Sequence, residues 1–264
     1  YIPVLPEMQH LVSLHQNKRF HCFDAWEHTL CAVDNGPRDL LIRWSLLLHD
    51  VAKGLDGIRG KNKEGQPSDH GHEKKSAKMA QEILPRWQYG PAFVERAVWI
   101  IANHMRFAPM LITKRNSVVR WVRSEAASGP FRREQDLAEA FRQVSDVFLA
   151  DMGATWSGIR KEPVVDEGRA LVAQVVQLAA TGMPVHTSDL KLSGREAQDI
   201  LQGRNDWTVG EALQYLLRRV QNGSVPNEAE ALAAALRKKL ERHETEETTP
   251  ESPGKGTTYE KKHA

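Results

Sequence analysis

Leu40 to Gly54 reads LLIRWSLLLHDVAKG, and the rest of the chain is organised around this stretch. Leu40, Leu41, Trp44, Leu47, Leu48 and Val51 recur at spacings of three and four, the period of one helix face, and Gly54 stands where such a helix would end. His49 and Asp50 then fall at the end of an otherwise apolar helix. An ionised Asp beside Leu46, Leu47, Leu48 and Val51 is costly unless it is paired or binds a metal. The competing reading is a last turn projecting into solvent with an exposed Asp. The dyad alone does not separate the two.

Working outward, the same period continues. A helix from Asp24 to Val33 precedes the dyad. Ala77, Ala80 and Leu84 form a further stripe, as do Phe93, Ala97, Ile100 and Ile101, and then Phe141, Val144 and Phe148. No convincing alternating strand interrupts them, so the expected fold is all-α, a helical bundle. The glycine-rich segment Gly54 to Gly71 reads as a mobile loop or a short hairpin. After an apolar helix from Ala170 to Ala180, a break falls at Thr181 to Pro184. A small second unit follows. Asp189 or Ser193 can cap a helix there, another runs from Val209 to Gln221, and Asn222-Gly223 with Pro226-Asn227 turns the chain into Glu228 to Arg242. From Glu244 onward apolar residues vanish and a disordered tail is expected. The boundaries predicted are residues 1–182, 183–243 and 244–264.

Composition narrows the function classes. The 36 Lys+Arg nearly cancel the 34 Asp+Glu, and a net charge of +2 demands neither nucleic acid nor membrane. Arg106, Lys114, Arg115, Arg120, Arg123, Arg132 and Arg133 nonetheless face a single acid, Glu125, across 106–133, a stretch suited either to phosphates or to a solvated helix face. Cys22 and Cys31 are the two cysteines, nine positions apart and so on opposite sides of a shared helix. That excludes a disulfide framework and points to a reducing cytoplasm. No signal peptide or membrane-length apolar run is found.

Other residues bear on the dyad. His28 lies on the preceding helix. His104 continues the stripe of Ala97, Ile100 and Ile101, so it projects from an apolar face. Several such histidines with an Asp suggest a shared site for a divalent metal, because neutral imidazole and carboxylate are its natural ligands. A second carboxylate is offered by Asp146 or Asp151. Helical phasing aligns Asp151 with Phe141, Val144, Val147 and Phe148, and Asp146 with Glu139, Arg142 and Gln143. A core-facing Asp needs a partner, which favours Asp151.

The order of His28, His49-Asp50 and a distal Asp resembles the HD phosphohydrolase superfamily. It is most similar to the C-terminal body of bacterial CCA-adding tRNA nucleotidyltransferases and poly(A) polymerases. The segments that carry the likeness are LPEMQHLVSLHQNKRFHCFDAWEHTL (residues 5–30), LLLHDVAKG (46–54), DHGHEKKSAKMAQEIL (69–84) and VWIIANHM (98–105). LKLSGREAQDIL (190–201) and VQNGSVPNEAEAL (220–232) resemble that family's C-terminal helical module.

The resemblance implies that His28, His49, Asp50 and Asp151 ligate one divalent metal (Ni, Mn, Mg, Fe or Zn). It implies that His72 and His104 line the pocket, holding a second metal or a substrate phosphate, and that Lys53 reaches a phosphate oxygen. Arg59 and Arg106 are further candidates for substrate contact. Asn103-His104 stands where many relatives have two histidines. The implied function is metal-dependent hydrolysis of a nucleotide, cyclic phosphate or other phosphoester. The alternative is an RNA-binding body, gripping tRNA, with a vestigial metal site. Nucleotidyl transfer needs two carboxylates one residue apart, and no Asp-x-Asp occurs in these 264 residues. With Tyr1 rather than Met at the start, two expectations follow: a piece of a longer enzyme whose head domain lies upstream or acts in trans, or a stand-alone descendant.

Overall fold

The structure, a computed structural model, describes residues 4–111, 116–155, 165–202 and 207–247. It is all-α apart from one small hairpin, and it divides into two units, Tyr1–His186 and Thr187–Ala264.

In the first unit a short 3-10 turn, Pro6–Leu11, leads into α1 (Ala25–Asn35). Asp24 begins that helix with a capping box, accepting from the Glu27 amide while the Glu27 side chain accepts from the Asp24 amide. Helix α2 (Leu40–Leu48) is capped by the Asp39 side chain. It ends sooner than the apolar stripe suggests, so His49 and Asp50 lie in the turn just beyond it. The Ala52 amide donates to Ser76 Oγ at 3.1 Å and the Gly54 amide to Asp69 Oδ1 at 2.9 Å, which ties this turn to the segments that follow. Gly54 has φ +83°, a backbone state that a side chain would strain. The glycine-rich segment forms β1 (Arg59–Lys61) and β2 (Pro67–Asp69), paired antiparallel with Gly60 opposite Ser68.

Next come α3 (His72–Arg86), α4 (Pro91–Asn103), α5 (Phe107–Met110), α6 (Asn116–Ser128), α7 (Glu134–Ala154) and α8 (Val165–Ala180). One core joins α2, α4, α6, α7 and α8 through Ile42, Leu46, Ile100, Trp121, Phe141, Val144 and Val175. A second joins the first turn, α1, α2, α3 and α4 through Met8, Leu11, Ala25, Leu48, Ile83, Leu84 and Ile101. Helices α2 and α4 contribute to both, and the ends of these helices therefore have little freedom.

The second unit packs α9 (Gly194–Leu201), α10 (Val209–Gln221) and α11 (Ala229–Glu247) around Leu201, Leu216, Leu232 and Leu236. Ser193 and Thr208 each form a capping box. Helix α11 continues to Glu247, into the stretch read from sequence as tail, because that stretch is rich in Glu, a good helix former. Residues 248–264 of the tail, and Lys114 and Arg115 of the basic stretch, lie outside the described residues. No helix among the described residues is long and apolar enough to cross a membrane.

Phe107 anchors the turn that carries His104. Its ring is fully buried, stacks on Phe148 with centroids 4.6 Å apart, and meets Trp121 edge-on at 5.2 Å. Phe107→Ala should cost about 3–5 kcal/mol of unfolding free energy, read from the urea midpoint. A loss below about 1 kcal/mol would contradict this packing.

Candidate metal centre

Five elements deliver polar side chains to one buried point. His28 comes from the first turn of α1 and His49 and Asp50 from the turn after α2. His72 opens α3, His104 follows the last turn of α4, and Asp151 lies in the last turn of α7. His28, His49, Asp50, His72 and His104 are all buried within an otherwise apolar interior.

The backbone sets how each imidazole is presented. His28 Nδ1 lies 3.2 Å from the Ala154 carbonyl, His49 Nδ1 2.6 Å from Leu46, His72 Nδ1 2.7 Å from Asp69 and His104 Nδ1 2.7 Å from Ile101. A carbonyl oxygen can only accept, so in each case Nδ1 carries the proton and donates it. Nε2 is thereby the free nitrogen, and all four Nε2 atoms turn inward. This is the orientation that outer partners impose on histidines that ligate metals.

The inward atoms are closely spaced. His28 Nε2 is 3.0 Å from Asp151 Oδ1 and 3.5 Å from Asp50 Oδ2. His49 Nε2 is 3.1 Å from Asp50 Oδ2 and 3.6 Å from Asp151 Oδ1. The four form an alternating ring of nitrogen and oxygen. Ligands about 2.1 Å from one ion and at right angles to each other would stand about 3 Å apart. Asp50 Oδ1 faces the other way, 3.0 Å from His72 Nε2 and 4.0 Å from His104 Nε2. The His72 and His104 Nε2 atoms are 3.3 Å apart.

Several of these atoms lack hydrogen-bond partners although they are buried: His28 Nε2, His49 Nε2 and both carboxylate oxygens of Asp50, of which Oδ2 has only its ion pair with Lys53. Unpaired buried groups of this kind are expensive, and a cation at their centre would satisfy them. The donor set thus fits a divalent metal. His28, His49 and Asp151 form one group with ligand spacing, and His49, Asp50 and His104 form another.

Electrostatics agree. Burial opposes charge on His49, yet the carboxylates of Asp50 and Asp151 outweigh it and push the imidazole up to about 10. Burial also opposes ionisation of Asp50, but His49 and Lys53 hold it well below the usual carboxylate range. Asp151 is held down in the same way, against its burial, by His28 and His49. His104 goes the other way. Burial and the neighbouring His49 and His72 push it down to about 3, so it stays neutral. Two ionised carboxylates therefore draw a positive charge to His49, and a metal ion would compete with that proton.

Lys53 Nζ lies 2.7 Å from Asp50 Oδ2 and donates to Gln16 Oε1 at 2.9 Å. The structure brings together His28, His49, Asp50, Lys53, His72, His104 and Asp151. It places Asp146 on the outer side of α7, where Arg142 Nη1 donates to it at 2.7 Å. Arg59 donates from Nε to Asp69 and from Nη1 to the His15 carbonyl, both at 2.8 Å. Arg106 lies over the Trp121 ring, 6.0 Å from its centroid. Asn103 turns back on its own helix, donating to the Trp99 carbonyl at 2.9 Å. Gln16 and His21 belong to the neighbourhood of the site and were not singled out in the sequence. They precede α1 in a segment without helical period, which gives no face to phase. The one local signal is their closeness to the capping Asp24.

Comparison with known proteins accords with this geometry. A family model described as the HD domain matches residues 21–151, from the segment before α1 to the Asp on α7. An A-adding tRNA nucleotidyltransferase of Deinococcus radiodurans is 29% identical over 238 residues, covering 88% of this chain and 50% of the relative. A CC-adding tRNA nucleotidyltransferase of Thermus thermophilus is 30% identical over 254 residues, covering 94% of this chain and 52% of the relative. A bifunctional uridylyltransferase/uridylyl-removing enzyme of Ruegeria pomeroyi is 24% identical over 237 residues, 81% of this chain and 24% of that protein. The chain thus spans about half the length of the two tRNA nucleotidyltransferases. No solved structure matched. Residues 21–151 are an HD domain, and the chain is a relative of the CCA-adding tRNA nucleotidyltransferases.

Proposed function

We infer that this HD domain hydrolyses a phosphate ester, a nucleotide or cyclic phosphodiester, with a divalent metal held by His28, His49, Asp50 and Asp151. The observation that carries the reading is the convergence of four inward Nε2 atoms on the carboxylates of Asp50 and Asp151, at ligand spacing. The uridylyl-removing relative supports it, since removing a uridylyl group cleaves a phosphoester. A bound divalent cation would supply Lewis acidity, withdrawing charge from a phosphoryl oxygen and acidifying water. The two imidazole nitrogens in the donor set favour Zn, Mn, Fe or Ni over Mg.

In the reaction a water oxygen forms a new P–O bond, the ester P–O bond breaks, and the proton lost by water reaches the departing alkoxide. Asp50, with one oxygen toward each half of the cluster, is placed to orient that water. Lys53 is held against Asp50 by Gln16 and offsets charge that grows on the phosphate. His72 and His104 offer Nε2 atoms to a phosphate oxygen or a second ion. Arg59 keeps a buried Nη2 without a partner for the same purpose. Arg106 completes the candidate contacts.

A second reading is specifically favoured by the relatives: a tRNA-binding body, working with a nucleotidyltransferase head that is part of a longer chain or supplied in trans. Exposed Arg120 and Arg132, on and just beyond α6, would then meet RNA phosphates.

Asp50→Asn should lose the metal, measured by elemental analysis, and lower hydrolysis of a cyclic phosphodiester by at least about 100-fold. Wild-type protein that neither holds nor responds to any divalent ion would sink the hydrolase reading. Asp151→Asn should weaken metal affinity by at least about tenfold, while Asp146→Asn should bind metal like the wild type. The reverse order would remove Asp151 from the ligand set. For the RNA-binding reading, Arg120→Glu combined with Arg132→Glu should weaken binding of a tRNA-like RNA. It should also flatten the dependence of log K on log salt by about 1.5. Unchanged binding at low salt would leave these residues as a solvated face.

A further inference from the structure

The segment between the first 3-10 turn and α1 is built as carefully as the helices, yet the ligand set makes no use of it. The Asn17 carbonyl accepts from the Phe20 and His21 amides, both at 3.0 Å, and its side chain accepts from the Arg19 amide at 3.0 Å. At the far end Asp24 Oδ2 accepts from the Ser13 amide at 2.8 Å, and the Gln16 amide donates to the carbonyls of Phe23 and Asp24 at 3.4 and 3.3 Å. Gln16 also receives Lys53, which touches Asp50, so the loop is coupled to the cluster through two side chains.

This loop directs its residues two ways. His21 turns inward, its ring edge-on to ligand His28 with centroids 4.9 Å apart, and its Nδ1 is buried without a partner. Phe20 and Phe23 stay outside, 54% and 36% exposed, while Phe107, Phe131, Phe141 and Phe148 are buried in the core. The Arg19 guanidinium lies 5.7 Å from the Phe20 ring centroid, and Lys18 adds a further positive charge to the loop. Adjacent Cα atoms are about 3.8 Å apart, so the inward His and the outward ring are within the span of one nucleotide. An exposed aromatic ring beside cations is the surface on which nucleobases stack.

We propose that the loop Asn17–Asp24 selects a nucleoside phosphate as the substrate, with His21 contacting its phosphoryl group beside His28 and Phe20 stacking on its base. The assignment rests on the hydrolase reading for the chemistry, but its binding part stands separately. A nucleobase supplies the flat apolar partner that Phe20 lacks. A phosphate oxygen, or water held against it, supplies the partner that His21 Nδ1 lacks. The nucleotide is either free or the end of an RNA, since both present the same base and phosphate.

The test uses the full chain loaded with metal. Turnover of a nucleoside 2',3'-cyclic phosphate is compared with that of glycerol 1,2-cyclic phosphate, which has the same reacting ring and no base. Phe20→Ala should reduce the preference for the nucleoside, as a ratio of kcat/KM values, by about tenfold, and Phe20→Trp should restore it. A short RNA ending in 2',3'-cyclic phosphate, compared with the free nucleoside, tells the two sources apart by which shows the larger change. Calorimetry provides the second arm. Phe20→Ala should weaken binding of a nucleoside monophosphate about tenfold. His21→Phe, which keeps a ring against His28, should weaken binding of inorganic phosphate several-fold with metal content unchanged. Equal loss on both cyclic substrates, or nucleotide and phosphate affinities equal to wild type in both variants, would overturn the proposal. If the wild type hydrolyses neither substrate, the hydrolase reading fails, and calorimetry still decides the loop.

Discussion

Two carboxylates buried among histidines are the constraint on which the first unit depends. Asp50 and Asp151 are ionised against the cost of burial, and that state persists only because positive or polarisable groups surround them. Lys53 covers one oxygen of Asp50, and His28 and His49 face both acids. No single helix could supply that environment. Five elements must end or pass at the same point, and the bundle is arranged so that they do.

The accuracy of the centre comes from its outer contacts. Three of the four histidines donate Nδ1 to a carbonyl three residues earlier, a bond that a helix end or a turn makes available with no distant partner. His28 is the exception, reaching the Ala154 carbonyl at the end of α7. That one bond ties the first ligand helix to the helix bearing Asp151. The same junction is reinforced by Asn35, whose amide donates to the Ala150 carbonyl at 3.3 Å. Loosening the contact of α1 with α7 would turn His28 away from its partners.

The chemistry of the centre is more general than its substrate. A histidine and carboxylate cluster with a nearby lysine suits phosphoester cleavage on many molecules, and specificity must come from what surrounds it. By their names, two of the relatives add nucleotides to tRNA and the third adds and removes uridylyl groups. The loop before α1 brings the ring of His21 into edge-on contact with His28.

Much of the architecture was legible in the amino-acid sequence because helices declare themselves locally. The threefold and fourfold spacing of Leu41, Trp44, Leu48 and of Phe141, Val144, Phe148 is a property of neighbouring residues, and so is the phasing that set Asp151 apart from Asp146. The capping pattern Asp24 to Glu27 likewise marks a helix start before any packing is known. What required the tertiary structure were relations between distant segments. Sequence could name four histidines but not turn their Nε2 atoms inward, since that follows from which carbonyl each Nδ1 meets. It offered Arg59 as a phosphate contact, but that Asp69 and the His15 carbonyl hold two of its nitrogens is known only from the fold. Gln16 and His21 were silent because they lie in a loop, where no period links position to face. Their place beside Lys53 and His28 is fixed only when α1 and α2 pack together, for a loop's side chains take their direction from the elements that hold its ends.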